Sequence, residues 1–320
     1  MLVMMISTQF IVHTILYSSL IFLCLRQQKS PQQVADVKRR SLAEINTTCT
    51  GLSSSSGKSM KSIAVWPGTY SIGLEKGHSY GQLGQDIVVS TLLGCLKGGF
   101  FIDLAANDAV ILSNTAMLET TLDWNGICIE PNAKYWKRLA HRKCQVVGAV
   151  VGAHDDDVVG FISNDVRGGI EGVNNAKYGK HRERKDIKAE RNAVISFTSL
   201  LRTFNAPSVI DYLSLDIEGA ETLVMKSFPF HAYRIRILTV ERPDQELQNL
   251  LKNNGYIFAL RLGPLEEEVF VHESEAAALN MLSKLPNFGV HNPKIIFNPL
   301  GEKAGSIFYR NCGVNKTRAN

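Results

Sequence analysis

Four clusters of polar residues stand where apolar runs end, and each could bind a hydroxyl or move a proton. Asp103-Leu104-Ala105-Ala106-Asn107-Asp108-Ala109 follows Phe100-Phe101-Ile102, and its small residues would let a ligand approach the backbone closely. Glu130, backed by Pro131-Asn132, ends Gly126-Ile127-Cys128-Ile129. An acid at the end of the second strand of a doubly wound sheet can accept hydrogen bonds from ribose hydroxyls. Asp216-Ile217-Glu218-Gly219-Ala220-Glu221 sets three carboxylates in six residues behind Tyr212-Leu213-Ser214-Leu215. Such a group could hold a hydroxyl, an amine or a metal. Glu241-Arg242-Pro243 ends a further run and suits an internal ion pair as well as a functional role. Singly, each cluster also reads as a tight turn, a helix cap or an acidic helix start. Their order along one alternating pattern makes them a site.

The elements that must position these groups alternate in period. Ile87 to Leu96, Ser113 to Asp123, Lys134 to Arg142, Thr198 to Phe204, Ala220 to Phe228 and Gln245 to Asn253 have helical spacing. Phe100 to Leu104, Gly126 to Glu130, Gln145 to Val151, Tyr212 to Leu215 and Ile235 to Glu241 read as buried strands. Val158 to Ser163 adds a further strand, and Tyr256 to Leu262 with Val269 to His272 a closing pair. Alternation of this kind predicts an α/β fold, a mostly parallel sheet with helices on both faces. Ligands of such sheets sit beyond the carboxyl ends of the strands, where the four clusters fall.

Composition is ordinary for a globular chain of 320 residues, with 45% hydrophobic and 20% charged residues. A net charge of +5 and the lack of a recognisable module give no argument for nucleic acid. The six cysteines include no CxxC pair, which disfavours structural zinc, and no cluster demands a metal. Cys95, Cys128 and Cys144 fall in core segments and read as small hydrophobes; Cys49 and Cys312, in the flanks, could form a disulfide. Gly57-Lys58-Ser59 imitates the end of a phosphate loop, but Gly51 is one residue too far away and no strand precedes it.

From Leu2 to Leu25 there are 24 residues without Asp, Glu, Lys or Arg, long enough to span a bilayer. No small-residue cleavage site follows, which favours an uncleaved single-pass anchor over residues 1–26 to a removed signal. Residues 27–78 read as a flexible linker, 79–274 as the catalytic domain and 275–320 as a tail. By the positive-inside rule, the basic residues after the span would leave the domain on the cytosolic side. The sequons Asn46-Thr47-Thr48 and Asn315-Lys316-Thr317 matter only in the secretory pathway. The side of the membrane stays open. Lys177 to Arg191 holds seven Lys/Arg against three Asp/Glu and reads as a solvated loop.

Between Ser79 and about Ser274 the chain resembles the FkbM-type methyltransferases. The resemblance lies in Ser79-Tyr80-Gly81-Gln82-Leu83-Gly84-Gln85-Asp86, in Gly99 to Asp108, in Gly126 to Asn132, in Asp211 to Glu221 and in Phe270-Val271-His272. It implies a Rossmann-like fold that binds S-adenosylmethionine and usually methylates an oxygen. A small-molecule or glycan acceptor is expected, with sugar, polyketide, lipid and protein all open. Carried over by position, Gln85 and Asp86 would lie near the cofactor. Asp103, Ala105 and Asn107 would lie at its methionine end, and Glu130 at its ribose. Asp216 and Glu218 would line the place of transfer, with His272 or His231 behind them as further proton acceptors. The family's first loop usually reads Asp-x-Gly-Ala-Asn-x-Gly, and here both glycines are alanine, Ala105 and Ala109. A left-handed backbone at either position would cost about 1–2 kcal/mol. Two rivals share the architecture. One is a membrane-anchored scaffold without catalysis; the other, a nicotinamide oxidoreductase, lacks the Gly-x-Gly-x-x-Gly turn.

Overall fold

The computed structural model describes residues 63–155, 157–163, 168–173, 189–263 and 266–283. The expected anchor, most of the linker, both sequons, the Cys49–Cys312 pair and most of the basic stretch and tail lie outside the described residues. Among those described, no helix is long and apolar enough to cross a membrane.

Seven strands carry the large sheet, with an eighth, β1 (Ala64–Trp66), at its edge. They are β2 (Phe100–Leu104), β3 (Asn125–Ile129), β4 (Gln145–Gly148), β9 (Val209–Leu215), β10 (Arg234–Glu241), β11 (Tyr256–Leu262) and β12 (Glu267–His272). Their order across the sheet is β1-β4-β3-β2-β9-β10-β12-β11. The pairings from β4 through to β10 are parallel, whereas β1, β12 and β11 run antiparallel to their neighbours. Strand order reverses between β2 and β9, which opens a crevice at their carboxyl ends. A smaller sheet of order β5-β8-β6-β7 stands beside it, made of β5 (Val150–Gly152), β6 (Val158–Ile162), β7 (Gly169–Ile170) and β8 (Glu190–Ser196). The run Gln145 to Val151, expected as one strand, is split at Ala149, so that β4 and β5 serve different sheets.

Alternation along the strands feeds two cores. Phe101, Cys128, Val146 and Tyr212 face one side, where they meet α1 (Gln85–Leu92), α2 (Ala116–Leu122), α3 (Ala133–Leu139) and α7 (Ala276–Leu282). Ile102, Leu104, Ile129 and Leu213 face the other, against α4 (Phe197–Thr203), α5 (Glu221–Lys226) and α6 (Gln245–Asn253). Burial of this kind is worth about 1.5–3 kcal/mol per large apolar side chain. The α/β fold thus has helices on both faces of a mixed sheet. Cys128 and Cys144, expected as free core thiols, are joined in a disulfide with Cα atoms 6.0 Å apart. Cys128 pairs with Val146, which places Cys144, two residues earlier, on the same face of the adjoining strand. Cys95 is disulfide-bonded as well.

One buried ion pair ties the first core to the loop before α2. Arg142 and Glu119 are fully buried, with Nη2 and Oε1 2.9 Å apart. Glu119 also accepts from the Lys143 and Cys144 amides at 3.1 and 3.0 Å. Arg142 donates onward to Ser113 Oγ and Thr115 Oγ1 at 2.8 and 2.9 Å. Removing one partner of a buried pair leaves a charge without water or a counter-ion. Arg142→Met should therefore lower unfolding free energy by about 3–5 kcal/mol in urea titrations of the full chain. Adding Glu119→Leu should restore part of that loss; no recovery in the double variant would show that the backbone amides, rather than the stranded charge, carry the cost.

Candidate active site

Each functional side chain is placed by a strand end. Asp103 sits within β2 with only 3% of its surface exposed. Thr115 Oγ1, itself held by Arg142, donates to its carboxylate at 2.6 Å. Burial raises the Asp103 pKa, against the lowering pull of Thr115 and Arg142. Behind β2 the chain turns through Ala105 and Asn107, whose φ values are +62° and +49°. The Asn107 amide donates to Glu130 Oε2, and the Asn132 amide to Glu130 Oε1, both at 2.8 Å. Glu130 is thus fixed by two backbone donors with a lone pair left on each oxygen. Burial still pushes its pKa up to about 7.

Behind β9, Asp216 and Glu218 enter the same space, and Glu218 holds the left-handed region at φ +56°. Glu221, at the start of α5, accepts from the Gly219 and Ile217 amides at 2.9 and 3.2 Å, which shapes the turn that carries Glu218. Asp216 is partly open as a residue, but its Oδ1 is buried without a hydrogen-bond partner. Burial first, then Glu241 and Glu267, raise its pKa well above the usual carboxylate range. Arg242, at φ +45°, completes the group. Non-glycine residues in this region cost energy and gather at functional sites. Here Ala105, Asn107, Glu218 and Arg242 all line the crevice.

Two adjoining cavities share Ala105, Asn107, Asp216 and Glu218. The first runs from these residues past Glu130 to an apolar slot between Ile129, Val150, Phe161 and Ile170. Its far wall comes from the small sheet. The second holds Asp103, Gln82, Asn114, Ser214, Glu241 and Arg242, with Ile111 and Leu112 exposed at its lip. Asp103, Ala105, Asn107, Glu130, Asp216 and Glu218 are therefore brought together.

Other expected residues lie elsewhere. Asp86 is fully buried and accepts from Ser79 Oγ and the amides of Tyr80, Gly81 and Ile87 at 2.7, 2.8, 3.1 and 2.9 Å. It organises the loop before α1 and lines neither cavity. Gln85 accepts from the Leu83 amide at 2.8 Å and meets Glu267, so it supports an acid rather than facing the space. His272 closes β12, and since that strand runs antiparallel, it sits at the opposite edge of the sheet, beside Ser274 and Tyr256. His231 is exposed in the turn before β10, at that same far edge. Neither histidine reaches the crevice. Sequence reasoning gave no role to Ser214, Gln82 or Glu267 and none to the apolar slot; the strand reading of Val158 to Ser163 was the one signal for that wall.

Comparison with known families gives one match, to the methyltransferase FkbM domain, over residues 103–258. Among solved structures, the chain is similar to a precorrin-6y C5,15-methyltransferase from Geobacter metallireducens GS-15, at 8% identity. That similarity covers 60% of this chain and 90% of that one with a TM-score of 0.32, too slight to bear on activity. No curated protein matches the sequence significantly.

The two alanines that replace the family's glycines differ in consequence. Ala109 is fully buried without a positive φ, whereas Ala105 occupies the left-handed region. Ala105→Gly should raise unfolding free energy by about 1 kcal/mol, the strain offset in part by glycine's greater freedom when unfolded. A lower urea midpoint for Ala105→Gly would contradict this account of the turn.

Proposed function

On the premise that residues 103–258 form a methyltransferase FkbM domain, we propose that the chain transfers a methyl group from S-adenosylmethionine to a hydroxyl oxygen. One observation carries the reading: Glu130 and Asp216, from strands on either side of β2, open into a single cavity. The cavity fits the cofactor's chemistry. Its apolar slot suits a flat base, and the Glu130 oxygens keep lone pairs for two ribose hydroxyls. The turn at Ala105 and Asn107 suits the amino-acid end, and the Asp216–Glu218 side suits a cation. The cofactor supplies a methyl group made electrophilic by its sulfonium.

The protein's part is alignment and proton removal. Aligned reactants can contribute up to roughly 7–11 kcal/mol. Glu218 and Asp216 stand where the two cavities meet, and a carboxylate there can accept the hydroxyl proton as the O–C bond forms. The acceptor, a small molecule or glycan, would lie in the second cavity, against Ser214 and Asn114. The rival is a scaffold that keeps the fold without turnover. Strain at Ala105 favours it; acids open to both cavities oppose it.

We also place the domain on the oxidising side of a secretory membrane. The Cys128–Cys144 bridge supports this, because disulfides persist in such compartments, and so do the two sequons. These outweigh the basic residues after the apolar span.

Two measurements follow. Ribose hydroxyls donate to an ionised Glu130, and this acid gains its proton as pH falls through about 7. S-adenosylmethionine should therefore bind the full chain about tenfold more tightly at pH 8 than at pH 6. Glu130→Gln should weaken binding and flatten the profile, and no binding at millimolar cofactor would end the transferase reading. For orientation, treatment of the cell-expressed chain with an N-glycosidase should increase gel mobility. Asn46→Gln together with Asn315→Gln should abolish that shift, and an unshifted native chain would put the domain on the other side.

A further inference from the structure

The acids beyond β9 and β10 form a row that the sheet register imposes. Val240 pairs with Leu215, so Glu241 falls beside Asp216, and Glu241 pairs directly with Glu267 on β12. Glu218 enters from the turn behind β9. Oxygens of Asp216, Glu218 and Glu241 all lie within 4.8 Å of one another. Like charges side by side on neighbouring strands destabilise a sheet. Arg242, 3.1 Å from Glu241, offsets part of the negative charge.

Two of these carboxylates have a buried oxygen without a hydrogen-bond partner: Asp216 at Oδ1 and Glu267 at Oε1. Glu267 is only 3% exposed, lies in register with Glu241 and interacts electrostatically with both Glu241 and Asp216. Orphaned buried oxygens are costly, and here they belong to the row itself. A positively charged ligand held by the converging oxygens would relieve the repulsion and give Asp216 Oδ1 a partner.

We propose that Asp216, Glu218 and Glu241 bind a divalent cation, with the Glu267 carboxylate behind them completing the charge balance. All donors are carboxylate oxygens, which select a hard cation such as Ca²⁺, Mn²⁺ or Mg²⁺.

The ion's purpose rests on the transferase reading. The site borders the second cavity, where an acceptor hydroxyl could join the ion as a ligand and become more acidic. The O–H bond then breaks with its proton passing to a carboxylate oxygen not on the ion, and from there to water. The new O–C bond forms as the S–C bond breaks, and the S–C electron pair stays on sulfur.

The test uses the purified full chain after treatment with EDTA and removal of the chelator. Mn²⁺ is titrated in, and free ion is read by electron paramagnetic resonance, with Ca²⁺ and Mg²⁺ as competitors. One Mn²⁺ should bind per chain with a dissociation constant of about 10⁻⁶–10⁻³ M, and Ca²⁺ or Mg²⁺ in excess should displace it. Saturating metal should also raise the melting temperature of the native chain, a readout that needs no variant. Glu218→Gln and Glu241→Gln should each weaken binding about tenfold or more, while Glu246→Gln, on the exposed face of α6, should leave it unchanged. No saturable binding at millimolar metal, or unchanged affinity in both glutamine variants, overturns the site. Cofactor binding is measured separately in EDTA; if it persists while metal binding is absent, the cation site falls and the transferase reading stands.

Discussion

The guanidinium of Arg142 is the point on which the site's geometry depends. It has no contact with water, so each of its donors must be matched within the fold. Glu119 takes the charge, Ser113 and Thr115 take two further bonds, and Thr115 passes the constraint to Asp103. A loop of small and polar residues between β2 and α2 is thereby pinned from below. Buried ion pairs seldom add net stability over a well-packed apolar substitute. This one acts through specificity: it leaves the 113–115 segment one arrangement that satisfies every partner, and Asp103 inherits that arrangement.

Against this rigid floor, the rim of the crevice is strained. Ala105, Asn107, Glu218 and Arg242 hold left-handed conformations although none is glycine. The bonds around them account for their persistence. The Asn107 amide is captured by Glu130, and the turn carrying Glu218 is captured by Glu221. Each capture is made by an acid whose burial raises its pKa to about 7. Backbone strain and acid desolvation are thus two costs of one construction, which presents carboxylate oxygens and open backbone to a shared space.

Much of the fold was legible because hydrophobic period and strand-end chemistry are local. The unbroken apolar run Phe100-Phe101-Ile102 marks a strand buried on both faces, and Asp103, Glu130 and Asp216 follow from where such strands stop. What was not legible depends on partners distant in sequence. His272 looked usable because its apolar run is indistinguishable from that of a parallel strand; only its antiparallel pairing with β10 sends it to the far edge. Cys128 and Cys144 read as core hydrophobes because their meeting depends on the register of β3 with β4. Asp86 carries the character of a ligand-binding acid, yet four donors from its own loop satisfy it. Burial and bonding, not residue type, separate it from Glu130.

The acid row illustrates the same limit and gives it a direction. Asp216 and Glu218 are neighbours in sequence, but Glu241 and Glu267 join them only through sheet order and register. A fold that brings four carboxylates together and orphans two of their oxygens departs from what stability alone would select. Departures of that kind are expected where function sets the terms. The charge deficit is also placed usefully. It lies on the boundary of both cavities, within reach of whatever enters either one, so positive charge arriving from either side is drawn to the same junction. On the proposed reading, a sulfonium on one flank and a hard cation on the other would share the field of one set of acids, and the bond to be made would lie between them.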